Sequence, residues 1–292
     1  MTWKGILLAG GGGSRLHPLT RVASKQLQPI YNKPMIYYPL TTLMLVGVRE
    51  ILIITTPTER PRFEALLGDG ASWGLSLTYS TQAQPNGIAE ALLVGEDFIG
   101  DDSVLLMLGD NVLYGPYDPL RHALASHDGG ATIFGYQVRD PRAYGVVELD
   151  GQGRPVSIEE KPAEPRSSWA VPGFYLYGPS VAERARRLQP SARGELEITD
   201  LHRGYLHDGR LTVVPLGRGM AWFDTGTAEA LLDAANFVRA LEERQGLSIG
   251  CPEEAAYRAG LIDLEGLEAS FADLPACGYR EYLERLVAEL RR

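Results

Sequence analysis

Acidic side chains are missing from the first 49 positions of this 292-residue chain. Glu50 is the first, although Lys4, Arg15, Arg21, Lys25, Lys33 and Arg49 precede it. The whole chain has a formal charge of −9. The basic start is therefore a local field, suited to a small polyanion and not to a nucleic-acid partner. Cysteine is also scarce: Cys251 and Cys277 are the only two. Their spacing fits no zinc module or disulfide scaffold, and two reduced thiols in a cytoplasmic protein are expected. The five histidines are scattered without a Cys–His arrangement, which speaks against a hydrolase-type triad. Long apolar runs are lacking too. The longest uncharged stretch of the N-terminal third, Pro34 to Val48, has 15 residues and is broken by Pro39. A span needs about 20, so no membrane partner is expected. The chain opens Met1-Thr2-Trp3-Lys4 and turns glycine-rich within ten residues, so no signal peptide is expected.

What is present is ordinary globular material, 45% hydrophobic and 22% charged. Trp3–Ala9, Glu50–Thr55, Leu75–Thr81 and Ser103–Leu108 read as buried strands. Met35–Val46, Pro61–Leu67 and Ile88–Phe98 read as helices. That alternation predicts βαβ units and a parallel sheet covered on both faces. Beyond about residue 130 the texture changes. Short strands at Ala131–Val138, Tyr144–Leu149, Pro155–Glu159 and Gly173–Tyr177 suggest an antiparallel or mixed extension. Helices are expected at Pro179–Leu188 and Ile198–His207, with a strand at Leu211–Pro215. Thr227 then caps a helix whose Leu231, Ala234, Ala235, Val238 and Leu241 share one face. The tail from Pro252 reads as short helices without strands.

The sharpest local feature is Leu8-Ala9-Gly10-Gly11-Gly12-Gly13-Ser14-Arg15. Glycines after a buried strand let backbone N–H groups converge on phosphate oxygens. The Walker loop fails here, because Gly10 is not followed by Gly-Lys at the required spacing. The dinucleotide fingerprint fails as well, since Arg15 stands where its third glycine belongs and no acid precedes Glu50 to hold a ribose. A Gly-Gly-x-Gly-x-Arg scheme fits Gly10, Gly11, Gly13 and Arg15. Lys25 follows ten residues later and could bracket a triphosphate with Arg15.

With these segments stand SKQLQPIYNKPMIYYPL (24–40), LGDN (108–111), AYGVVE (143–148), EEKP (159–162), SARGELEITD (191–200) and AWFDTGT (221–227). Together they resemble the sugar-nucleotide pyrophosphorylases, and within them the glucose-1-phosphate thymidylyltransferases, essentially from end to end. The resemblance implies a Rossmann-like α/β fold: a mixed, mostly parallel sheet flanked by helices, an antiparallel sugar-binding extension and a C-terminal helical tail. It divides the chain into a nucleotidyltransferase domain at 1–240 (nucleotide half 1–130, sugar half 131–226) and a tail at 241–292 for regulation or subunit contact.

The implied reaction is attack of glucose 1-phosphate on the α-phosphorus of dTTP, releasing pyrophosphate. Such chemistry needs positioning and charge neutralisation rather than a Ser, Cys or His nucleophile. The resemblance assigns Arg15, Lys25, Asp110 and Lys161 to catalysis, and Asp110 with Asp224 to Mg²⁺. Leu8, Gly10, Gly11, Gly13, Ser14, Gln26, Gln82, Pro85 and Gly87 join Arg15 and Lys25 around the nucleotide. Tyr144, Gly145, Glu160, Val171 and Tyr175 join Lys161 around the sugar. It also implies a homotetramer, and feedback by a dTDP-deoxysugar at a second site involving Gly115 and Arg258. The chain departs from the common pattern at Gly12, Ser14, His17 and Gln28, at Pro116 where some relatives have His, and at Asn86 and Glu90, where Asp and Gln are usual. Glu90 would add negative charge beside the base. A UTP-dependent uridylyltransferase is one alternative, and a silent sugar-nucleotide-binding regulator is another.

Overall fold

In the computed structural model, which describes residues 3–292, the run Trp3–Ala9 forms β1. A small hairpin follows, β2 (Pro29–Ile30) and β3 (Lys33–Pro34), and then α1 (Tyr37–Leu45). Next come β4 (Glu50–Thr55), α2 (Arg60–Leu67), β5 (Ser76–Thr81), α3 (Glu90–Val94), α4 (Glu96–Ile99) and β6 (Ser103–Leu108). The middle of the chain supplies β7 (Asn111–Tyr114), α5 (Asp118–Ser126), β8 (Ala131–Gln137), β9 (Gly145–Leu149), β10 (Pro155–Glu160), β11 (Trp169–Ala170) and β12 (Phe174–Tyr177). It continues through α6 (Val181–Arg186), α7 (Ile198–His207), β13 (Leu211–Pro215) and β14 (Ala221–Asp224). The chain then ends in α8 (Ala228–Gln245), α9 (Pro252–Arg258), α10 (Leu264–Ser270) and α11 (Gly278–Leu290).

One mixed sheet runs in the order β10-β9-β11-β8-β12-β6-β1-β4-β5, with β13 alongside β8. The half around β1 is parallel, and the half beyond β6 is mostly antiparallel. Side chains alternate across the pleat. Leu7, Ile51, Ile53, Leu105 and Met107 pack on the face under α1. Ile6, Leu8, Leu52, Ile54 and Leu106 pack on the other, with Leu92 of α3 and Leu201 and Tyr205 of α7. Both faces being covered explains why these strands read as unbroken apolar runs.

The segment expected as one helix at Ile88–Phe98 is two. Gly95 lies between them, and a Cβ there would come within 2.7 Å of the Cδ1 of Ile6, so the chain bends where it presses on the sheet. The basic start is also less basic in space than in sequence. Lys4 pairs with Asp102 at 3.0 Å. Lys33, 2% exposed, pairs with Glu242 at 2.8 Å and donates to the Ser248 hydroxyl, which ties the β2–β3 hairpin to the end of α8. Thr227 caps α8 as expected, its hydroxyl accepting from the Ala230 N–H. Cys251 is buried and Cys277 exposed, both as free thiols. No helix among the described residues is long and apolar enough to cross a membrane.

Candidate active site

Strand register builds the site before any side chain is considered. Leu8 pairs with Leu108, Ala9 with Thr55, and Thr55 with Thr81. The carboxyl ends of β1, β5 and β6 therefore share one edge, where Gly10, Gln82 and Asp110 emerge as neighbours, the usual ligand-facing edge of a parallel sheet. Antiparallel β12 begins at the same edge, since Phe174 pairs with Met107. Gly145 pairs with Glu160 and accepts from the Val171 N–H at 2.8 Å, which turns the sugar-side residues toward it.

Asp110 and Asp224, distant in sequence, meet because β7 and β14 pair with Asn111 opposite Asp224. Asn111 is the hub of this contact. Its Oδ1 accepts from the Trp222 indole at 2.6 Å and from the Gly173 N–H at 3.0 Å, and its Nδ2 donates to Asp110 at 2.8 Å. Thr225, fully buried, donates its hydroxyl to the Asp110 carbonyl at 2.8 Å. Lys25, 5% exposed, reaches Asp110 at 2.5 Å and Asp224 at 4.0 Å. Burial and the Asp110 carboxylate hold the Asp224 carboxyl above the usual range, against the pull of Lys25, Arg15 and Lys161. Among the described residues no third acid, His or Cys completes a cluster. Two carboxylates with open positions suit a hard divalent cation that keeps phosphate oxygens and water as its other ligands.

Beside the pair lies a cleft of about 220 Å³, lined by Arg15, Asp110, Tyr144, Gly145, Glu160, Lys161, Val171, Tyr175 and Asp224. Every sugar-side residue singled out from the sequence is on it. Lys161 follows β10 with φ +43, a left-handed conformation that costs a non-glycine residue of order 1 kcal/mol. Its N–H is held by the Tyr144 carbonyl at 3.0 Å. The Glu160 carboxylate accepts from the Thr199 hydroxyl at 2.6 Å and lies 3.3 Å from the Lys161 ammonium. Tyr175 is buried, and its phenol is pushed up by burial first and by Glu160 second. Sequence reasoning missed Arg193, Glu195, Glu197, Thr199 and His202, which also line the cleft. Arg193 is held by Glu197 at 2.9 Å. His202 is fully buried, shares a 2.6 Å hydrogen bond with the Tyr177 hydroxyl, and is pushed down to about 3, so it is a neutral imidazole at ordinary pH. Arg193, Glu195, Glu197 and Thr199 stand in SARGELEITD, whose charge and hydroxyl content was the available signal.

The residues expected around the nucleotide lie at the exits of β1 and β5. Gly13 has φ +57 and sits against Thr20, where a Cβ would come within 2.8 Å. Gln28, one of the departures, pins the loop that follows by donating to the carbonyls of Leu19 and Ala23. Gly10 is buried, Gly11 and Ser14 are exposed, and Leu8 lies within the sheet. Gln26 is buried beside Gly11 with its Oε1 unpartnered. Gln82 is buried with its Oε1 facing Gly10, and Pro85 is exposed at the rim. Gly87 has φ +107, and a Cβ on it would be 2.4 Å from the Leu196 carbonyl oxygen. Leu196 in turn donates its N–H to the Asn86 carbonyl at 2.6 Å and accepts from the Ala89 N–H at 3.2 Å. Gly115 and Arg258 lie apart from all of this. They line a second cavity of about 260 Å³ between α1, β7 and the tail.

The chain is similar to known proteins over nearly its whole length. The family model described as nucleotidyl transferase matches residues 4–240. A glucose-1-phosphate thymidylyltransferase of an Actinoplanes species is 55% identical over 287 residues, covering 98% of this chain and 94% of the relative. That of Mycolicibacterium smegmatis is 52% identical over 284 residues, covering 97% and 99%. A Bacillus anthracis structure described as the same enzyme, solved with a sucrose, superposes with a TM-score of 0.77 at 40% identity, covering 82% of this chain and 96% of its own. A UDP-glucose pyrophosphorylase bound to UDP-glucose shares the fold at 24% identity, with a TM-score of 0.73 over 84% of this chain and all of its own. A Gly-rich loop beside a lysine-bridged carboxylate pair, together with near full-length identity above one half, places this chain in the nucleotidyl transferase family.

Proposed function

We propose that the chain is a Mg²⁺-dependent glucose-1-phosphate thymidylyltransferase, joining dTTP to α-D-glucose 1-phosphate to give dTDP-glucose and pyrophosphate. The observation that carries the reading is the gathering of three cations around the Asp110–Asp224 pair. Lys25 bridges the two carboxylates, and Arg15 and Lys161 line the cleft beside them. Two phosphorylated substrates repel, and cations gathered where they meet offset that repulsion. A sugar-phosphate oxygen forms the new bond to the α-phosphorus as the α–β anhydride breaks, and the electron pair leaves with pyrophosphate. Arg15 and Lys25 neutralise the departing charge, Lys161 holds the sugar phosphate, and Glu160 accepts from sugar hydroxyls. A cation held by Asp110 and Asp224 would polarise phosphate oxygens. Residues 1–130 serve the nucleotide and 131–226 the sugar, within a domain extending to 240. The enzyme acts in the cytoplasm as a homotetramer, at the first step of dTDP-deoxysugar synthesis such as that of dTDP-rhamnose.

Pyrophosphate release from purified protein with glucose 1-phosphate tests this, comparing dTTP with UTP, each with Mg²⁺ and with chelator. We expect release to need Mg²⁺ and to favour dTTP. Because the bases differ by one methyl group, UTP should still be used, at kcat/KM lower by about 10–200-fold. Preference for UTP would make the chain a uridylyltransferase. No release from protein that binds dTTP would make it a silent binder.

The second cavity is the proposed site of feedback by a dTDP-deoxysugar, with the tail at 241–292 as its wall and subunit contact. Its mixed lining of Tyr114, Gly115, Ser248, Glu254 and Arg258 offers both hydrogen-bonding and apolar contacts. Inhibition should be saturable and survive excess dTTP. Purely competitive inhibition against dTTP would count against a second site.

A further inference from the structure

We propose that Glu90 is a positioning residue for base selection: it fixes the Gln82 amide so that only an acceptor faces the base. The inference rests on the reading of the chain as an enzyme of pyrimidine nucleotides, with Gln82 at the base edge. The amide end of Gln82 meets two groups, the Gly87 carbonyl at 3.1 Å and the Glu90 carboxylate. Both are acceptors only, so the NH₂ end must face them and both its hydrogens are used. The Oε1 is left pointing toward Gly10, the first glycine of the loop after β1. The other oxygen of Glu90 accepts from the Asn86 Nδ2 at 2.8 Å, which keeps the carboxylate in place. The negative charge that the sequence placed beside the base is therefore engaged in holding an amide.

The chemical consequence is selective. Thymine and uracil carry a hydrogen on N3 and can donate to a fixed Oε1. Cytosine N3 is an acceptor. To meet it Gln82 would have to turn over, which would set its Oε1 against the Gly87 carbonyl and the Glu90 carboxylate at once. That penalty falls on cytosine alone, because dTTP and dCTP carry the same triphosphate. Their ratio of kcat/KM is thus insensitive to the charge removed with Glu90.

The test measures kcat/KM for dTTP and dCTP, with glucose 1-phosphate, in the full chain and in Glu90→Ala, Glu90→Leu and Glu90→Gln. The native chain should prefer dTTP strongly. Glu90→Ala and Glu90→Leu remove the charged one of the two acceptors that fix the Gln82 amide, leaving only the Gly87 carbonyl, and should lower the dTTP:dCTP ratio by about tenfold or more. Glutamine can still accept from Gln82 through its own Oε1 and should keep most of the ratio. Leucine preserves side-chain bulk, so the proposal stays testable if the alanine variant does not fold. Unchanged ratios in alanine and leucine variants that still prefer dTTP would overturn the role of Glu90 while leaving the enzyme's identity intact. Equal use of dTTP and dCTP by the native chain would overturn it too. A native chain inert toward dTTP would instead overturn the functional reading on which the inference rests.

Discussion

Asp224→Asn is expected to lower kcat by about 10³-fold, the scale of losing one preorganised electrostatic contact to a transition state, while the protein stays folded. The two effects separate because of what the Asp224 carboxyl experiences. Burial and the facing Asp110 carboxylate both disfavour its charge, so a neutral amide relieves repulsion and the melting temperature should hold or rise. Asp110→Asn should be as inactive but less stable. It removes the 2.5 Å partner of Lys25 and leaves that buried ammonium with only Asp224, at 4.0 Å. Pyrophosphate release across a Mg²⁺ titration, with thermal melts alongside, reads both quantities. Near-normal turnover of Asp224→Asn at low Mg²⁺ would show that the aspartate pair is not where the ion is held.

Lys161→Ala is the second large effect, and it should fall on one substrate. Truncating one partner of a charge-paired contact costs about 2–5 kcal/mol, so kcat/KM for glucose 1-phosphate should fall by about 10²-fold, mainly through KM. The KM for dTTP should barely move, since the proposed role of Lys161 is toward the sugar phosphate and Lys25, not Lys161, bridges the two aspartates. The left-handed backbone at this position supports the assignment. A strained φ of +43 at the end of β10, held by the Tyr144 carbonyl, aims a side chain that a relaxed strand exit would send elsewhere. Initial-rate kinetics with each substrate varied in turn would settle it, and an equal loss toward dTTP would contradict the division of labour.

Much of this was legible in the chain. The centres of β1, β4 and β6 are unbroken apolar runs, with polar Thr55 and Ser103 buried only at strand ends, and a glycine run after β1 pointed to a tight loop. The residues expected around the sugar, from Tyr144 to Tyr175, all reach one cleft: the β9–β10 hairpin carries Gly145 and Glu160 there, and the pairing of β12 with β6 carries Tyr175. What could not be read is long-range. Nothing local in Asn111 distinguishes a hub from a turn residue, because its three partners come from β6's exit, the approach to β12 and β14. The pairing of β7 with β14 has no periodic signal, since four residues are too few to show one. Glu90 looked like stray charge beside the base, because Gln82 and Asn86 become its hydrogen-bond partners only when the chain turns ahead of α3, which starts at Glu90 instead of at Ile88. The acid-free start misled in the same way, since Lys4 and Lys33 find their acids far along the chain.

The backbone contacts of Leu196 with Asn86 and Ala89 have a consequence for how such enzymes can be recombined. Leu196 stands between Glu195 and Glu197, which line the cleft, while Asn86 and Ala89 flank the turn that carries Gly87. One interlocked seam therefore joins the cleft to the Gln82–Gly87 turn, and at Gly87 it is too tight to admit even a methyl group. A crossover anywhere between these two stretches splits the seam between parents, so an exchanged sugar loop arrives without the turn it was moulded against. Retuning this scaffold for another donor or another acceptor means moving the two stretches together, as a single cassette drawn from distant parts of the chain.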